Sequence, residues 1–309
     1  MKKLSWAFAA ALICGLNVFS SCVNDNNDNP VIDNLAEKLI GKWMISDIEG
    51  QPALTNWKEV ITFVSPTKAY VSKSIARRED MDSEDRPPKP EDMPDVMPED
   101  IPGWNAHVEC DVTIEGNTVI LTSEGPNGSK MSTKYEIKSI SASKFTCEAI
   151  REAPDGGPGM PPEGDGDKEK NIKQKQRYER VTVDYKQDIL GKWEGHITSD
   201  MGSEFDDGED HQWEYKADGT FVYYIQDEDG NWIVNPNQTE SDYFVDGSLL
   251  CTRWVIDDEV GEDEINKDNR EWWEIESIEG GVMKWKALRA REDGTTYVAT
   301  FAMLRVKED

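Results

Sequence analysis

The residues able to do chemistry are few and badly spaced for it. Three histidines (His107, His196, His211) and five cysteines stand against 62 acids and 34 bases. There is no Gly-x-Ser-x-Gly elbow, no His-Glu-x-x-His pair, no P-loop and no dinucleotide fingerprint. The spacings that expose a nucleophile, activate a zinc-bound water or cradle a phosphate are therefore missing. A carboxylate pair for glycoside hydrolysis needs only two acids on either side of a bond. Among 62 acids such a pair arises by chance, so it carries no information. No enzyme activity is expected.

Metal chemistry fares no better. Cysteine offers no Cys-x-x-Cys and no Cys/His ligand spacing. Asp227-Glu228-Asp229-Gly230-Asn231 begins like a calcium loop but lacks a glutamate at the twelfth place, and reads as a hairpin turn. Asp206, Asp207, Glu209, Asp210 and His211 form a second acid cluster, and Asp92, Asp95, Glu99 and Asp100 a third inside a proline-rich stretch. Calcium needs several oxygens converging at about 2.3–2.6 Å, and a proline-rich segment does not preorganise that. No metal and no cofactor is expected.

Tryptophan is the more suggestive residue. The second half of the chain holds Trp193, Trp213, Trp232, Trp254, Trp272, Trp273 and Trp285. Exposed indoles stack on sugar rings or hold apolar ligands, with polar groups fixing orientation. Trp272 and Trp273 are adjacent, so on a strand one enters the core and the other faces outward. Trp232, beside a turn, and Trp272 are the expected ligand contacts.

The N-terminus addresses the chain for export. Lys2 and Lys3 precede an apolar run from Leu4 to Phe19, too short for a spanning helix and fitting a signal peptide over residues 1–21. Phe19-Ser20-Ser21-Cys22 resembles a lipobox, which implies that Cys22 is acylated after cleavage. Residues 22–33 read as a polar tether, Val23-Asn24-Asp25-Asn26-Asn27-Asp28-Asn29-Pro30 having nothing to bury. Several acyl carbons at about 0.8 kcal/mol per buried CH₂ make such an anchor persistent. The acidic tether resembles surface-export signals of Bacteroidetes lipoproteins, so an outer-membrane location is expected, with the periplasmic and surface leaflets both open. Net charge is −28, and cleavage removes two lysines and no acid. That charge repels phosphate backbones, so nucleic acid is excluded and the membrane is met only through the lipid. Cys14 leaves with the signal peptide. Export permits a disulfide between Cys110 and Cys147, but three buried thiols, with Cys251, is the expected reading.

The body of the chain is duplicated. Lys38-Leu39-Ile40-Gly41-Lys42-Trp43 recurs as Asp188-Ile189-Leu190-Gly191-Lys192-Trp193. Four further matches follow in order, ending with Tyr178-Glu179-Arg180-Val181 against Met303-Leu304-Arg305-Val306. The offset shrinks from 150 to 125 because the first copy carries acidic, proline-rich insertions at 79–103 and 152–170. Proline fixes φ and removes donors, so both read as loops. Elsewhere Phe221, Tyr223 and Ile225, and Tyr297, Ala299, Phe301 and Met303, alternate with other residues at period two between Asp-Gly, Gly-Asn and Gly-Gly turns. This predicts an antiparallel meander of eight or nine strands in the second copy, with a short helical turn before each Gly-Lys-Trp.

A Gly-x-Trp on the first strand after a helical turn resembles the start motif of the lipocalins, present twice as Gly41-x-Trp43 and Gly191-x-Trp193. The resemblance implies a late arginine packed over each tryptophan at the closed barrel end, matching Arg180 and Arg305. A second motif of that family is matched by Ser241-Asp242-Tyr243 in the second copy alone. The resemblance covers residues 34–183 and 185–309 and is to the tandem lipocalin-like lipoproteins of the Bacteroidetes type. The expected architecture is thus all-β: two tandem small antiparallel lipocalin-like barrels after a signal peptide and a flexible tether. The expected role is non-catalytic binding of a small hydrophobic or glycan ligand. The alternative is an accessory lipoprotein contacting another envelope protein, which predicts barrels filled by their own side chains.

Overall fold

Alternation decides which side chains meet. In the last strand Tyr297, Ala299, Phe301 and Met303 are buried while the residues between them are more open, as in a sheet with one face on a core. The computed structural model describes residues 31–74, 104–124, 130–152, 171–199, 210–256, 267–291 and 293–307. The segments read above as a signal peptide, as most of a tether with Cys22 and as proline-rich insertions (79–103 and nearly all of 152–170), and Asp206, Asp207 and Glu209, lie outside these residues.

The first lobe begins with α1 (Leu35–Leu39). It continues through β1 (Gly41–Ile48), β2 (Gln51–Pro52), β3 (Glu59–Ser65), β4 (Lys68–Ser74), β5 (Trp104–Glu115), β6 (Thr118–Glu124), β7 (Lys130–Ile140), β8 (Lys144–Glu152) and β9 (Asn171–Val181). Neighbours pair antiparallel, and β9 returns to β1, so eight strands close into a barrel with β2 attached to β1. Closure leaves those eight strands without an open edge.

The second lobe runs through β10 (Gly191–Ser199), β11 (Asp210–Tyr215), β12 (Phe221–Gln226), β13 (Trp232–Val234), β14 (Gln238–Asp246), β15 (Leu249–Ile256), β16 (Lys267–Glu279), β17 (Val282–Ala290) and β18 (Thr296–Arg305). Its order is β13-β12-β11-β10-β18-β17-β16-β15-β14. Here the structure departs from a second closed barrel. The added β12–β13 hairpin occupies the edge that β4 offers to β5 in the first lobe. The facing strands β12 and β14 are instead held by scattered bonds. Tyr243 N–H donates to Gly219 O (2.8 Å), Tyr223 N–H to Gln238 Oε1 (2.9 Å), Tyr243 O–H to Lys216 O (2.8 Å) and Ser241 Oγ–H to Phe221 O. The Ser241-Asp242-Tyr243 motif therefore bridges the seam of a half-barrel.

Strand register aligns the two interiors. Counting from the Gly-Lys-Trp starts, Ile61 corresponds to Trp213, Ala69 to Phe221, Val71 to Tyr223, Tyr135 to Trp273, Cys147 to Trp285 and Gln176 to Phe301. Each replacement in the second lobe is aromatic. A wider, unclosed sheet encloses more volume, and native packing density is reached there only with larger side chains. The rings touch in sequence: Trp213–Trp285 at 5.9 Å, Trp285–Phe301 at 5.3 Å and Trp273–Trp285 at 5.6 Å between centroids.

The lobes share residues 31–309 as one compact unit. Outward-facing Met44 and Val60 pack with Phe244, Leu249 and Cys251, flanked by Val181 and Trp272. The carboxylate of Asp246 is fully buried and pairs with Lys42 Nζ at 2.6 Å, which also meets Asp184 at 2.9 Å. Lys58 pairs with Glu274 at 2.5 Å, and Leu288 N–H donates to Thr55 Oγ1 at 2.8 Å. Gly247, at φ +66°, sits so close to Val181 and Lys42 that a Cβ there would collide.

Burial lowers the Lys42 pKa, but bonding to Asp246 and Asp184 outweighs it and the net shift is upward from 10.5. A raised lysine stabilises fully below its unfolded value, and that stability is lost as pH rises through the folded value. Melting temperature is therefore expected to fall as pH climbs past 10.5, and less steeply for Lys42→Met. Buried Tyr178 and Tyr215 lower both curves over that range, so the difference between curves isolates Lys42. At neutral pH Lys42→Met strands a buried carboxylate and costs about 3–5 kcal/mol by denaturant unfolding. Adding Asp246→Leu is expected to restore most of it.

Candidate functional site

The two ends of each lobe are built differently. At the end where the chain enters, α1 delivers Leu39 O to Trp43 Nε1–H at 2.6 Å, and the turn before β10 delivers Ile189 O to Trp193 Nε1–H at 2.6 Å. Arg180 lies 4.0 Å over the Trp43 ring and Arg305 4.1 Å over the Trp193 ring. Arg180 donates to Ile40 O at 2.8 Å and Lys38 O at 3.1 Å; Arg305 donates to Leu190 O at 2.5 Å and Asp188 O at 2.6 Å. The arginines thus satisfy the carbonyls left open where each helical turn ends. Gly41 (φ +123°) and Gly191 (φ +108°) pass beneath the guanidiniums, and a Cβ at either would run into one. The arginine and tryptophan thus plug this end of each lobe.

Among the described residues the opposite end differs between lobes. In the first, buried Glu59 accepts from Tyr178 O–H at 2.5 Å and Tyr135 O–H at 3.4 Å, and Tyr178 also donates to Gln176 Oε1 at 3.0 Å. Burial and the nearby Glu59 charge push the Tyr178 phenol far up, so it remains a proton donor. That network satisfies itself.

In the second lobe the corresponding layer carries His211 and half-buried Trp213, Tyr223 and Trp254. His211 stacks on Trp213 at 5.2 Å and its Nδ1 lies 3.0 Å from Tyr223 O–H. Trp273 Nε1–H donates to Glu271 at 2.9 Å, and Arg289 lies 4.7 Å over Trp273 with Glu271 4.0 Å away. Arg291 lies 5.0 Å over Tyr297 and donates to Thr295 Oγ1 at 2.6 Å. Several buried donors here lack an acceptor: Trp285 Nε1, Gln238 Nε2, and Arg291 Nε and Nη2.

The tryptophans singled out from the sequence lie elsewhere. Trp272 is on the outer face, in the seam between lobes, because it alternates with core Trp273 and lobe one covers that face. Trp232 pairs with Gln226, on the face of the hairpin away from Tyr223. Trp213 and Trp254, not singled out, are in phase with the core positions Tyr215 and Leu250, and that phase was the available signal.

Other candidates resolve into structure. Asp227 Oδ1 accepts from Asn231 N–H at 2.8 Å and Asp229 N–H at 2.9 Å, making a hairpin turn; the bond from Asn231 leads in holding its pKa down. Cys110, Cys147 and Cys251 are free and buried, and burial raises all three thiol pKa values, leaving them poor nucleophiles. Among the described residues no group of three or more His, Cys, Asp or Glu is placed to hold a metal, and no helix is long and apolar enough to cross a membrane. Two concavities lie outside the lobe interiors. One, of about 210 Å³ at the lobe seam, includes Met44, Lys58, Arg180 and Glu274; the other is a shallow groove at Lys192, Gly281 and Arg305.

No family model matches the chain, and neither does any curated protein. Solved structures of transferrin binding protein B are similar at a distance. A double mutant from Haemophilus parasuis has 12% identity and a TM-score of 0.23 over 65% of this chain and 39% of that one. A single mutant from the same organism has 9% identity and a TM-score of 0.23, covering 87% and 75%. The isotype 1 protein from serogroup B Neisseria meningitidis has 8% identity and a TM-score of 0.24, covering 84% and 67%. At this distance the similarity carries no argument about function.

Removing the plug tests its weight. Arg305→Ala forfeits a cation–π contact of about 0.5–2 kcal/mol and uncaps two carbonyls. Chemical denaturation is expected to show a loss of about 2–4 kcal/mol, with Arg305→Lys recovering only part of it, since lysine lacks the planar fork. An Arg305→Ala protein as stable as the wild type contradicts this reading.

Proposed function

We propose that this chain is an exported lipoprotein, acylated at Cys22 and held at the outer membrane, that binds a small molecule at the open end of its second lobe. The first lobe acts as a rigid support. The observation that carries this reading is the divergence of the two open ends. At the end away from the plug the first lobe places aliphatic Ile61 and Val71 and a self-satisfied Glu59 network where the second has Trp213, Tyr223 and His211. The second keeps half-buried Trp213, Tyr223 and Trp254 beside buried donors that lack acceptors. Rings with a few oriented polar groups are the usual lining of a small-molecule site. No catalysis is assigned to it.

The accessory reading has its own support. Leu304 and Val234 are exposed at 63% and 55% on the outer face of the second lobe, and a partner envelope protein would cover such residues.

Two measurements test the proposal. Mass spectrometry of the membrane fraction is expected to find an acylated N-terminal Cys22, lost together with membrane retention in Cys22→Ala. Residues 31–309, titrated with fatty acids, sterol-like compounds and oligosaccharides, are expected to give a saturable tryptophan shift and a raised melting temperature. Silence from a folded sample favours the accessory reading.

A further inference from the structure

We infer that the plug end of both lobes is a docking face for the lipid surface that carries the anchor, with the other end held off the membrane; the inference rests on acylation at Cys22, proposed above. Three observations converge. The first is where the chain enters. Val31 leads into α1, and Ile32 N–H donates at 2.7 Å to Asn117 Oδ1, in the turn between β5 and β6 on the plug side. Cys22 stands nine residues before Val31, a reach of at most about 30 Å. Both plugs lie on that side. Lys42, at the start of β1, meets Asp246, at the end of β14. Thr55, beyond the far end of β1, meets Leu288 towards the far end of β17.

The second is how charge divides between the two ends. Four connections leave from strand ends away from the plugs. Residues 75–103 hold ten acids and four bases, 153–170 five and two, 200–209 five and none, and 257–266 six and none. Most of the chain's −28 therefore belongs to that end. The plug-side turns Pro66-Thr67, Gly116-Asn117, Ser141-Ala142-Ser143, Gly247-Ser248 and Gly280-Gly281 hold no acid. The turn between β11 and β12 carries Lys216 and Asp218, one of each sign. Beside these turns Lys38, Lys144, Lys192 and Lys307 offset Glu37, Glu115, Asp188 and Glu279. In physiological salt the Debye length is about 8 Å. β1 has eight residues and β18 ten. At about 3.3 Å per residue and a barrel tilt, the two ends stand roughly 20 Å apart. An anionic headgroup layer under the plugs is thus screened from the acidic end, and the net charge does not oppose docking. Turned over, the molecule would bring those acids against the layer.

The third is what the plug side exposes. Val31, Ile40, Val64 and Leu304 are open to solvent, Val31 at 70%. Leu304 borders the shallow groove with Lys192 and Lys307. Aliphatic groups set among lysines suit a lipid interface, the first at the acyl boundary and the second at the phosphates. Trp57 and Met131 are exposed at the other end, so exposure alone does not choose the face. Charge does.

The test is amide hydrogen exchange of the mature chain, residues 22–309, coupled through Cys22 to maleimide-bearing vesicles of phosphatidylcholine and phosphatidylglycerol in equal parts. Cys110, Cys147 and Cys251 are buried and do not compete. The free chain at the same concentration is the reference. Coupling is expected to slow exchange three-fold or more at Asn117, Ala142 and Gly281, and to leave Asp229 and Gly230 unchanged. The double variant Val64→Asp, Leu304→Asp is expected to keep the melting transition and lose the slowing. Slowing at neither end, at both equally, or at Asp229 and Gly230 alone overturns the inference. So does plug-side slowing that survives the double variant, or that the free chain shows as its concentration rises, the mark of contact between copies. The coupling is chemical, so these outcomes count against docking whatever the cell does to Cys22. An unacylated Cys22 in the membrane fraction counts against the anchor alone.

Discussion

Each lobe depends on one arginine lying on one tryptophan. In a meander whose first strand must find its last, the entropy of closure grows with the intervening chain; the β1–β9 and β10–β18 ladders join those strands, and the arginine at the end of each ladder ties it to the preceding helical turn. Arg180 reaches across to the helical turn before β1 and Arg305 to the turn before β10, each stacking on an indole and capping two carbonyls. The glycine two residues before each tryptophan follows from this geometry, since a side chain there would occupy the guanidinium's place. The Gly-x-Trp pattern and its distant arginine are one physical object, seen in sequence as two fragments far apart.

With both ends plugged alike, the copies were free to differ at the other end. One is a closed ring whose interior mixes Ile, Val and Cys with Trp43, Phe63, Phe145 and a polar Glu59–Tyr178 cluster. The other gained the β12–β13 hairpin, lost the ladder between its facing strands and filled the added space with aromatic rings. A seam bridged by Gln238, Ser241 and Tyr243 rather than a ladder is the local cost of that enlargement. It is also where the buried Gln238 Nε2 is left without an acceptor.

The lobes are not beads on a string. An apolar patch on their outer faces, a fully buried Asp246 and the Lys42 and Lys58 pairs join them into one body. A flexible pair of barrels would leave Met44, Val60, Leu249 and Cys251 in water. Joining them buries that surface, at roughly 25 cal/mol per Å², and fixes both open ends relative to one another.

Much of this was legible in the residues. The duplication, the all-β alternation and the turn at Asp227 follow from spacing and periodicity, because those are local or repeated signals and period two fixes which face a side chain takes; the arginine expected over each Gly-x-Trp came from the family resemblance. What the sequence left open is which surface covers an outward face. Trp272 is a large indole out of phase with its core, and nothing along the chain says that a second lobe packs over it. Trp254 is in phase, yet only the half-barrel leaves it partly open. Strand order and closure are set by pairings between residues far apart in sequence, and so are the contacts between lobes. Those pairings alone decided that one copy is a filled barrel and the other keeps an aromatic mouth.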